Sequence, residues 1–334
     1  MRAPSFWWRE AGLAATLLAP PAALYGAVAA QRMRQSGREV GVAVICIGSL
    51  TVGGAGKTPM ALRMERLLTA AGWRPVFLTR GYGGSLAGPV TVDPTRHTAH
   101  EVGDEPLLLA RVAPTIVARN RVAGAEAARD VGAEIVIMDD GFHNPALAKH
   151  LAVVMIDGER GIGNGRVLPA GPLRAPLGVQ LERADALVVV GPRGAADSVS
   201  LEFRARSRPV FHGSYVPDPA ALSALAGHRV LAFAGIGHPG KFFATLEAGG
   251  IEAVARRSFP DHHRYSKAEA AWLIAEAERR RLLLVTTEKD SARLAGDGAV
   301  AALARCVSVL PVTLVLDDEG SFARFVLERV MKRL

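Results

Sequence analysis

The sequence predicts an α/β protein built on a doubly wound parallel sheet, and three observations predict it. Short runs rich in β-branched and apolar residues recur at 42–47, 75–79, 115–117 and 135–138. They are continuous rather than alternating, the pattern of strands buried on both faces. Segments of helical character separate them at the spacing of strand–helix–strand units. The first run opens into Thr51-Val52-Gly53-Gly54-Ala55-Gly56-Lys57-Thr58, with a helix expected over residues 59–71. Strand, glycine-rich loop, Gly-Lys-Thr and helix in that order form the context of a phosphate-binding loop, so this lobe is expected to be P-loop NTPase-like.

In chain order, residues 1–38 stand apart as a membrane-associating segment. Phe6, Trp7 and Trp8 precede an uncharged run, 11–30, with Arg2 and Arg9 before it and Arg32, Arg34 and Arg38 after it. A helix of that length spans about 30 Å, the hydrocarbon thickness of a bilayer. Pro20-Pro21 interrupts the run, and its alanines make insertion only modestly favourable. Three readings stay open: an interfacial or kinked membrane anchor, a signal peptide cleaved near Ala27-Val28-Ala29, or a buried helix or groove-lining hairpin. The first is adopted here, as an apolar helix that either spans the bilayer or lies on it.

Residues 39–150 form the expected nucleotide-binding lobe. Small residues let successive backbone N–H groups point at phosphate oxygens, and the helix N-terminus adds positive potential. Residues 51–58 are thus expected to hold a nucleoside triphosphate, with Lys57 on the β- and γ-phosphates and Thr58 on Mg2+. Thr51 stands where the common pattern has its first glycine; Gly48, Gly53 and Gly54 supply flexibility instead. The run 135–138 ends in Asp139-Asp140. Ligands gather at the carboxyl ends of parallel strands, so both carboxylates are expected to face Lys57 and hold Mg2+. Asp104, in Gly103-Asp104-Glu105-Pro106, is either the N-cap of a helix over 105–112 or a base for a hydroxyl nucleophile. Arg80, Arg119, Arg121 and Arg174 lie in or beside loops at strand ends, as solvated charges or as a clamp on phosphates or a phosphorylated substrate.

Residues 151–334 form the expected second, smaller α/β lobe that completes a cleft. Strands are expected at 151–157, 186–190, 210–215, 230–234 and 282–287, with a strand pair within 307–316. Helices are expected at 241–248, 267–280 and 321–332. Between them, 158–176 is a Gly/Pro-rich loop of a length that usually carries function. Asp261-His262-His263 precedes the 267–280 helix. Adjacent histidines on an extended chain point opposite ways, which argues against a two-histidine metal site, while one histidine oriented by a carboxylate is acid–base machinery. Thr287-Glu288-Lys289-Asp290 ends a strand, as a cleft element or a solvated turn.

The net charge of +8 is compatible with nucleic acid, a membrane surface or an anionic substrate. No basic stripe with interleaved aromatics and no nucleic-acid motif is present, so nucleic acid is not expected as a partner. The two cysteines, Cys46 and Cys306, sit in apolar runs and form neither a disulfide framework nor a zinc site.

Several of these stretches coincide with one pattern. They are Val52-Gly53-Gly54-Ala55-Gly56-Lys57-Thr58-Pro59, Arg80-Gly81-Tyr82-Gly83, Val102-Gly103-Asp104-Glu105-Pro106, Asp139-Asp140-Gly141-Phe142, Leu168-Pro169-Ala170-Gly171-Pro172-Leu173-Arg174, Ala234-Gly235-Ile236-Gly237-His238-Pro239, Phe259-Pro260-Asp261-His262-His263 and Thr287-Glu288-Lys289-Asp290. Through them the chain resembles, almost end to end, the tetraacyldisaccharide 4'-kinases that phosphorylate lipid A precursors in Gram-negative bacteria. The resemblance implies MgATP-dependent phosphorylation of the 4'-hydroxyl of an anionic glycolipid, tetraacyldisaccharide 1-phosphate, giving lipid IVA. It implies association with the cytoplasmic face of the inner membrane. It makes Asp104 the catalytic carboxylate, His262 its partner across the cleft, and Asp139 and Asp140 ligands of Mg2+ or the nucleotide. Two positions depart from the family pattern: His143-Asn144 replaces Gln-His, and Ala175 replaces the Glu after Leu-Arg. A rival reading is a P-loop regulatory GTPase or ATPase switch. It lacks the guanine-reading Asn-Lys-x-Asp, and Gly141 directly follows Asp140 where Asp-x-x-Gly is required. A third, a membrane tether with an inactive nucleotide fold, would show no turnover of ATP with a lipid acceptor.

Overall fold

The structure is a computed structural model that describes residues 3–332, so Arg2 lies outside the described residues. Its strands are β1 Ala43–Ser49, β2 Pro75–Thr79, β3 Val90–Thr91, β4 Thr115–Val117, β5 Ile135–Asp139, β6 Leu151–Asp157, β7 Ala186–Val190, β8 Val210–Pro217, β9 Arg229–Ala234, β10 Glu252–Ser258, β11 Leu283–Thr286, β12 Val307–Val309 and β13 Val312–Leu316. The large sheet runs β13-β8-β7-β6-β1-β5-β2-β4-β3, and the small one runs β10-β9-β11-β12. Pairing is parallel except at the two edges of the large sheet, where β13 opposes β8 and β3 opposes β4.

The continuous apolar runs have the expected cause. Every residue of β1 is buried, because its side chains alternate between two packed faces. Val44 and Cys46 face a core with Ala125 and Ala128 of helix Arg121–Asp130, Val179 of helix Leu177–Arg183 and Phe203 of helix Asp197–Ala205. Ala43, Ile45 and Ile47 face Met60, Met64 and Leu68 of helix Lys57–Ala70 and Phe322 of helix Glu319–Met331.

The border expected between residues 150 and 151 falls inside this sheet. β6 pairs with β1 from Ile45↔Leu151 to Ser49↔Met155, and β7 and β8 follow in parallel. The reason is physical: β6 and β7 are as continuously apolar as β1 and need cover on both faces, which only the large sheet offers. The small sheet occupies β9 to β12. The expected strand pair within 307–316 is also corrected. β12 pairs with β11, whereas β13 crosses back to β8, and Pro311 between them has no N–H with which to continue a ladder. β10 has no counterpart in the sequence reading. It is an edge strand carrying Arg256 and Arg257, largely open to solvent, so it has no apolar run to find.

The N-terminal apolar run is not one helix. A helix over Leu13–Leu17 precedes another over Ala19–Arg34, and Pro20 and Pro21 fall in the first turn of the second, where proline needs no hydrogen-bond partner. No described helix is long and apolar enough to cross a membrane. The segment is instead clamped onto the 158–176 loop. Trp7 Nε1 donates to the Pro169 carbonyl at 3.0 Å, and the Asn164 amide donates to the Trp7 carbonyl at 2.8 Å. Its outer face leaves Leu13, Leu17 and Leu24 more than two-thirds exposed.

Gly48 shows how tightly β1 is packed next to the phosphate loop. A Cβ there would lie 2.3 Å from the Phe142 Cβ. Gly48→Ala is expected to cost about 1–3 kcal/mol in urea unfolding; unfolding indistinguishable from wild type would contradict this packing.

Candidate active site

The glycine-rich loop leaves β1 at Ser49 and reaches helix Lys57–Ala70 at Gly56. Thr51 is extended and bridges Leu173 in antiparallel fashion, and the Val52 amide donates to the Pro172 carbonyl at 2.9 Å. A strand-like position accepts a side chain, which explains why no glycine is needed at 51. Gly56 is different. Its φ is +88°, and a Cβ would lie 2.0 Å from the Tyr215 hydroxyl, so both backbone and space demand glycine.

The helix start brings Lys57 and Thr58 to the carboxylates at the end of β5. The Thr58 hydroxyl donates to Asp139 Oδ2 at 3.0 Å, and Lys57 Nζ lies 3.7 Å from Asp140 Oδ2. Asp140 has φ +56° and is gripped by both terminal nitrogens of Arg174, at 3.3 and 3.4 Å. The two neighbouring carboxyls are driven apart. Burial, reinforced by Glu105, pushes Asp139 up to about 7. Burial also acts on Asp140, but Lys57 and Arg174 outweigh it and hold that carboxyl at about 2. Asp139 Oδ1 is buried with no hydrogen-bond partner. An orphaned carboxylate oxygen beside the Thr58 hydroxyl fits Mg2+, which takes one or two carboxylates and completes its shell with phosphate and water. No group of three or more His, Cys, Asp or Glu placed to hold a metal ion exists among the described residues.

Asp104 is not the N-cap. That position belongs to Gly103, and Asp104 begins helix Asp104–Ala110 with its carboxylate buried. Both of its oxygens lie 3.2 Å from His262 Nδ1, and Oδ2 accepts from Arg293 Nε at 2.7 Å. Burial would raise its pKa, but the His262 hydrogen bond and the Arg293 charge hold the carboxyl well below the usual carboxylate range. Burial likewise works against a charge on His262, and the bond to Asp104 prevails and raises it. His262 itself sits at φ +55°, with the Tyr82 ring 5.0 Å away.

Helix Glu288–Leu294 of the small lobe supports this pair. Lys289 Nζ meets Glu105 at 2.6 Å. Asp290 is fully buried and accepts from the Gly235 amide, the Tyr265 hydroxyl at 2.7 Å and the Thr287 hydroxyl at 2.6 Å. It also holds Arg293 Nη1 at 2.6 Å. Thr287-Glu288-Lys289-Asp290 is therefore a cleft element. Arg293 escaped the sequence reading; its signal was the helical spacing that sets it on the face of Lys289 and Asp290.

Of the four arginines singled out, only Arg174 joins the Lys57–Asp140 cluster. Arg121 is buried with Nη1 on the Ala118 carbonyl; burial and the nearby Arg80 charge both lower its pKa. Arg80 is exposed, and Arg119 reaches the Gly84 and Ser85 carbonyls. A cavity of about 630 Å³ opens beside the Asp104–His262 pair, bordered also by Tyr82, Gly103, Arg264 and Arg293.

The profile of the family described as Tetraacyldisaccharide-1-P 4'-kinase matches residues 14–331. A tetraacyldisaccharide 4'-kinase of Rhodopseudomonas palustris (strain BisA53) is 56% identical over 330 residues, covering 99% of this chain and 96% of the relative. That of Nitrobacter winogradskyi is 51% identical over 332 residues, covering 99% and 98%. Among solved structures, an Aquifex aeolicus LpxK crystal structure, described as an "apo" form in complex with ATP, superposes with a TM-score of 0.73. It is 26% identical, and the alignment covers 95% of this chain and 99% of that one.

The His262–Asp104 pair makes stability depend on pH. His262 binds its proton more tightly folded than unfolded, so its contribution is complete below its ordinary value of 6.5 and is lost as pH rises through the raised folded value. The thermal midpoint should fall more between about pH 6 and about pH 9 in wild type than in His262→Gln. Parallel profiles would show that the pair does not tie the lobes together.

Proposed function

We propose, from the premise that the chain belongs to the tetraacyldisaccharide 4'-kinase family, a division of labour among the residues around Lys57. The enzyme is an ATP-dependent kinase of lipid A biosynthesis that phosphorylates the 4'-hydroxyl of tetraacyldisaccharide 1-phosphate to give lipid IVA. Membership replaces the rival expectation of a regulatory switch. The observation that carries the residue assignment is the buried Asp104 carboxylate, held by His262 and Arg293 from the other lobe.

In this reading residues 51–58 cradle the triphosphate with backbone amides, and Lys57 leaves Asp140 for the β- and γ-phosphates. Thr58 and Asp139, with Asp140 alongside, would hold Mg2+, which when bound neutralises charge on the phosphate oxygens. Arg174, oriented by Asp140, faces the transferring group; Arg80, exposed after β2, would take an anionic group of the glycolipid, with the buried Arg121 adding positive potential nearby. Arg119, turned onto the Gly84 and Ser85 carbonyls, holds the loop that follows Arg80.

Asp104 accepts the hydrogen of the 4'-hydroxyl. With its pKa depressed it is ionised throughout the neutral range and is a weak base. A weak base suffices where the transition state is loose, because the hydroxyl loses its proton late and catalysis is mostly positioning. His262 fixes the carboxylate's direction and Arg293 its charge. The cavity beside them receives the sugar.

The N-terminal segment is the membrane contact. Leu13, Leu17, Leu24 and Val28 are exposed on short helices flanked by Arg9, Arg32 and Arg34. Two short helices with an apolar outer face suit a position in the interface rather than across it. The need for ATP puts that contact on the cytoplasmic face of the inner membrane.

Two measurements test this reading. Asp104→Asn should lower kcat about 10²- to 10⁴-fold with labelled ATP and purified disaccharide lipid, while its circular dichroism stays native; near-normal turnover would remove Asp104 from the mechanism. Leu17→Glu with Leu24→Glu should abolish sedimentation with anionic vesicles without lowering the thermal midpoint, and undiminished vesicle binding would move the membrane contact elsewhere.

A further inference from the structure

The two departures from the family pattern, at residues 143 and 175, meet at one buried side chain. Gln180 lies on helix Leu177–Arg183 and is fully buried. Its Nε2 donates to the Ala175 carbonyl at 2.7 Å, and its Oε1 lies 2.8 Å from His143 Nε2. A backbone carbonyl can only accept, so the amide NH2 faces Ala175 and the amide oxygen faces the ring. His143 Nε2 must then carry the hydrogen. Burial holds His143 down at about 4, so the ring is neutral in this tautomer at physiological pH.

These contacts join two segments that also share a buried apolar cluster, through Phe142, Leu173 and Ala175, and meet at their charged tips, Asp140 and Arg174. His143 follows Asp140 through the turn closed by the Asn144 amide on the Gly141 carbonyl. Ala175 follows Arg174. The fork between Arg174 and Asp140, at 3.3 and 3.4 Å, is long for a charge-assisted pair, which closes to about 2.7–2.9 Å when it is the dominant restraint. Arg174 Nε is buried and unpartnered. The guanidinium therefore depends on its backbone for placement. That backbone is held by the Arg174 amide on the Leu50 carbonyl at 3.2 Å and by Gln180 on the next residue.

We propose that Gln180 is a positioning residue for phosphoryl transfer: its amide locks His143 and the Ala175 carbonyl together, and so holds Asp140 and Arg174 in register beside Lys57. The inference rests on the reading of Arg174 and Asp140 as part of the phosphate site. It explains how this chain functions without a carboxylate at 175 and with a ring at 143. The restraint is supplied by an uncharged clamp on a neighbouring helix.

The test compares Gln180→Leu, His143→Leu, His143→Gln and Arg174→Ala by steady-state kinetics with ATP and tetraacyldisaccharide 1-phosphate, together with thermal unfolding. Gln180→Leu and His143→Leu should each lower kcat about ten- to hundredfold, the scale of a small misplacement at a reacting centre. Their KM for ATP should stay within about twofold of wild type, because the loop amides that hold the ground state are untouched. His143→Gln should keep kcat within about threefold of wild type, since its amide N–H can still reach Gln180. Unchanged kcat in Gln180→Leu, or equal losses in the two His143 variants, would overturn the proposal while Arg174→Ala remained impaired. Unimpaired turnover by Arg174→Ala would overturn the phosphate-site reading and this inference with it. Should Gln180→Leu fail to fold, the two His143 variants decide alone.

Discussion

A buried carboxylate has to find cations, and Asp104 finds both of its partners on the other lobe. His262 and Arg293 reach it from the small sheet's loops and helix, while Lys289 reaches the adjacent Glu105. Of these pairs Arg293–Asp104 is the buried one, and removing Arg293 would leave the carboxylate under-compensated, a loss of about 3–5 kcal/mol for a buried pair. The relative placement of the lobes is thus written into the surroundings of Asp104. Lys241 and Asp157 make a second clasp at 2.6 Å, at the carboxyl end of β6. Between the clasps, Gly237 sits so close to the phosphate loop that a Cβ on it would lie 3.0 Å from the Gly54 nitrogen. The two lobes are thus held together by opposite charges and by the absence of a side chain.

Much of this was legible in sequence because the large sheet leaves a strong trace. β1, β2, β4, β5, β6 and β7 are buried on both faces, and nothing but a continuous apolar run satisfies that. The same trace hid the lobe border, since β6 looks alike whether it closes one sheet or opens another. Only its pairing with β1 decides. Edge strand β10 left no trace, because half of it faces water. In the site, Lys57, Thr58, Asp139 and Asp140 follow from a local pattern of strand end and helix start. Asp104 does not: its position in a helix's first turn is equally that of a residue complementing the helix dipole, and the proposed role rests on the three-dimensional meeting with His262 and Arg293. Arg293 meets Asp104 from 189 positions away and Gln180 meets His143 from 37, contacts that local spacing alone does not announce.

The missing first glycine of the phosphate loop and the long 158–176 loop turn out to be one feature. Thr51 can carry a side chain because Leu173 pairs with it, and Leu173 can do so because the rest of its loop is pinned. The pins are the N-terminal segment: Trp7 on the Pro169 carbonyl, the Trp7 carbonyl on Asn164, and Arg183 on the carbonyl of Arg34 at 2.6 Å. The helix carrying Arg183 also carries Gln180. A single loop and a single short helix therefore connect the proposed membrane-facing surface to the bed of the phosphates. That connection suits the chemistry. The acceptor hydroxyl belongs to a molecule whose acyl chains stay in the bilayer, so its height above the membrane is set by the lipid and not by the enzyme. Phosphoryl transfer tolerates little error along the line of attack. An enzyme that met the membrane through a flexible tether would have to search for that height at every turnover. By building the proposed membrane contact and the phosphate loop on the same pinned loop, the fold would fix the height in advance.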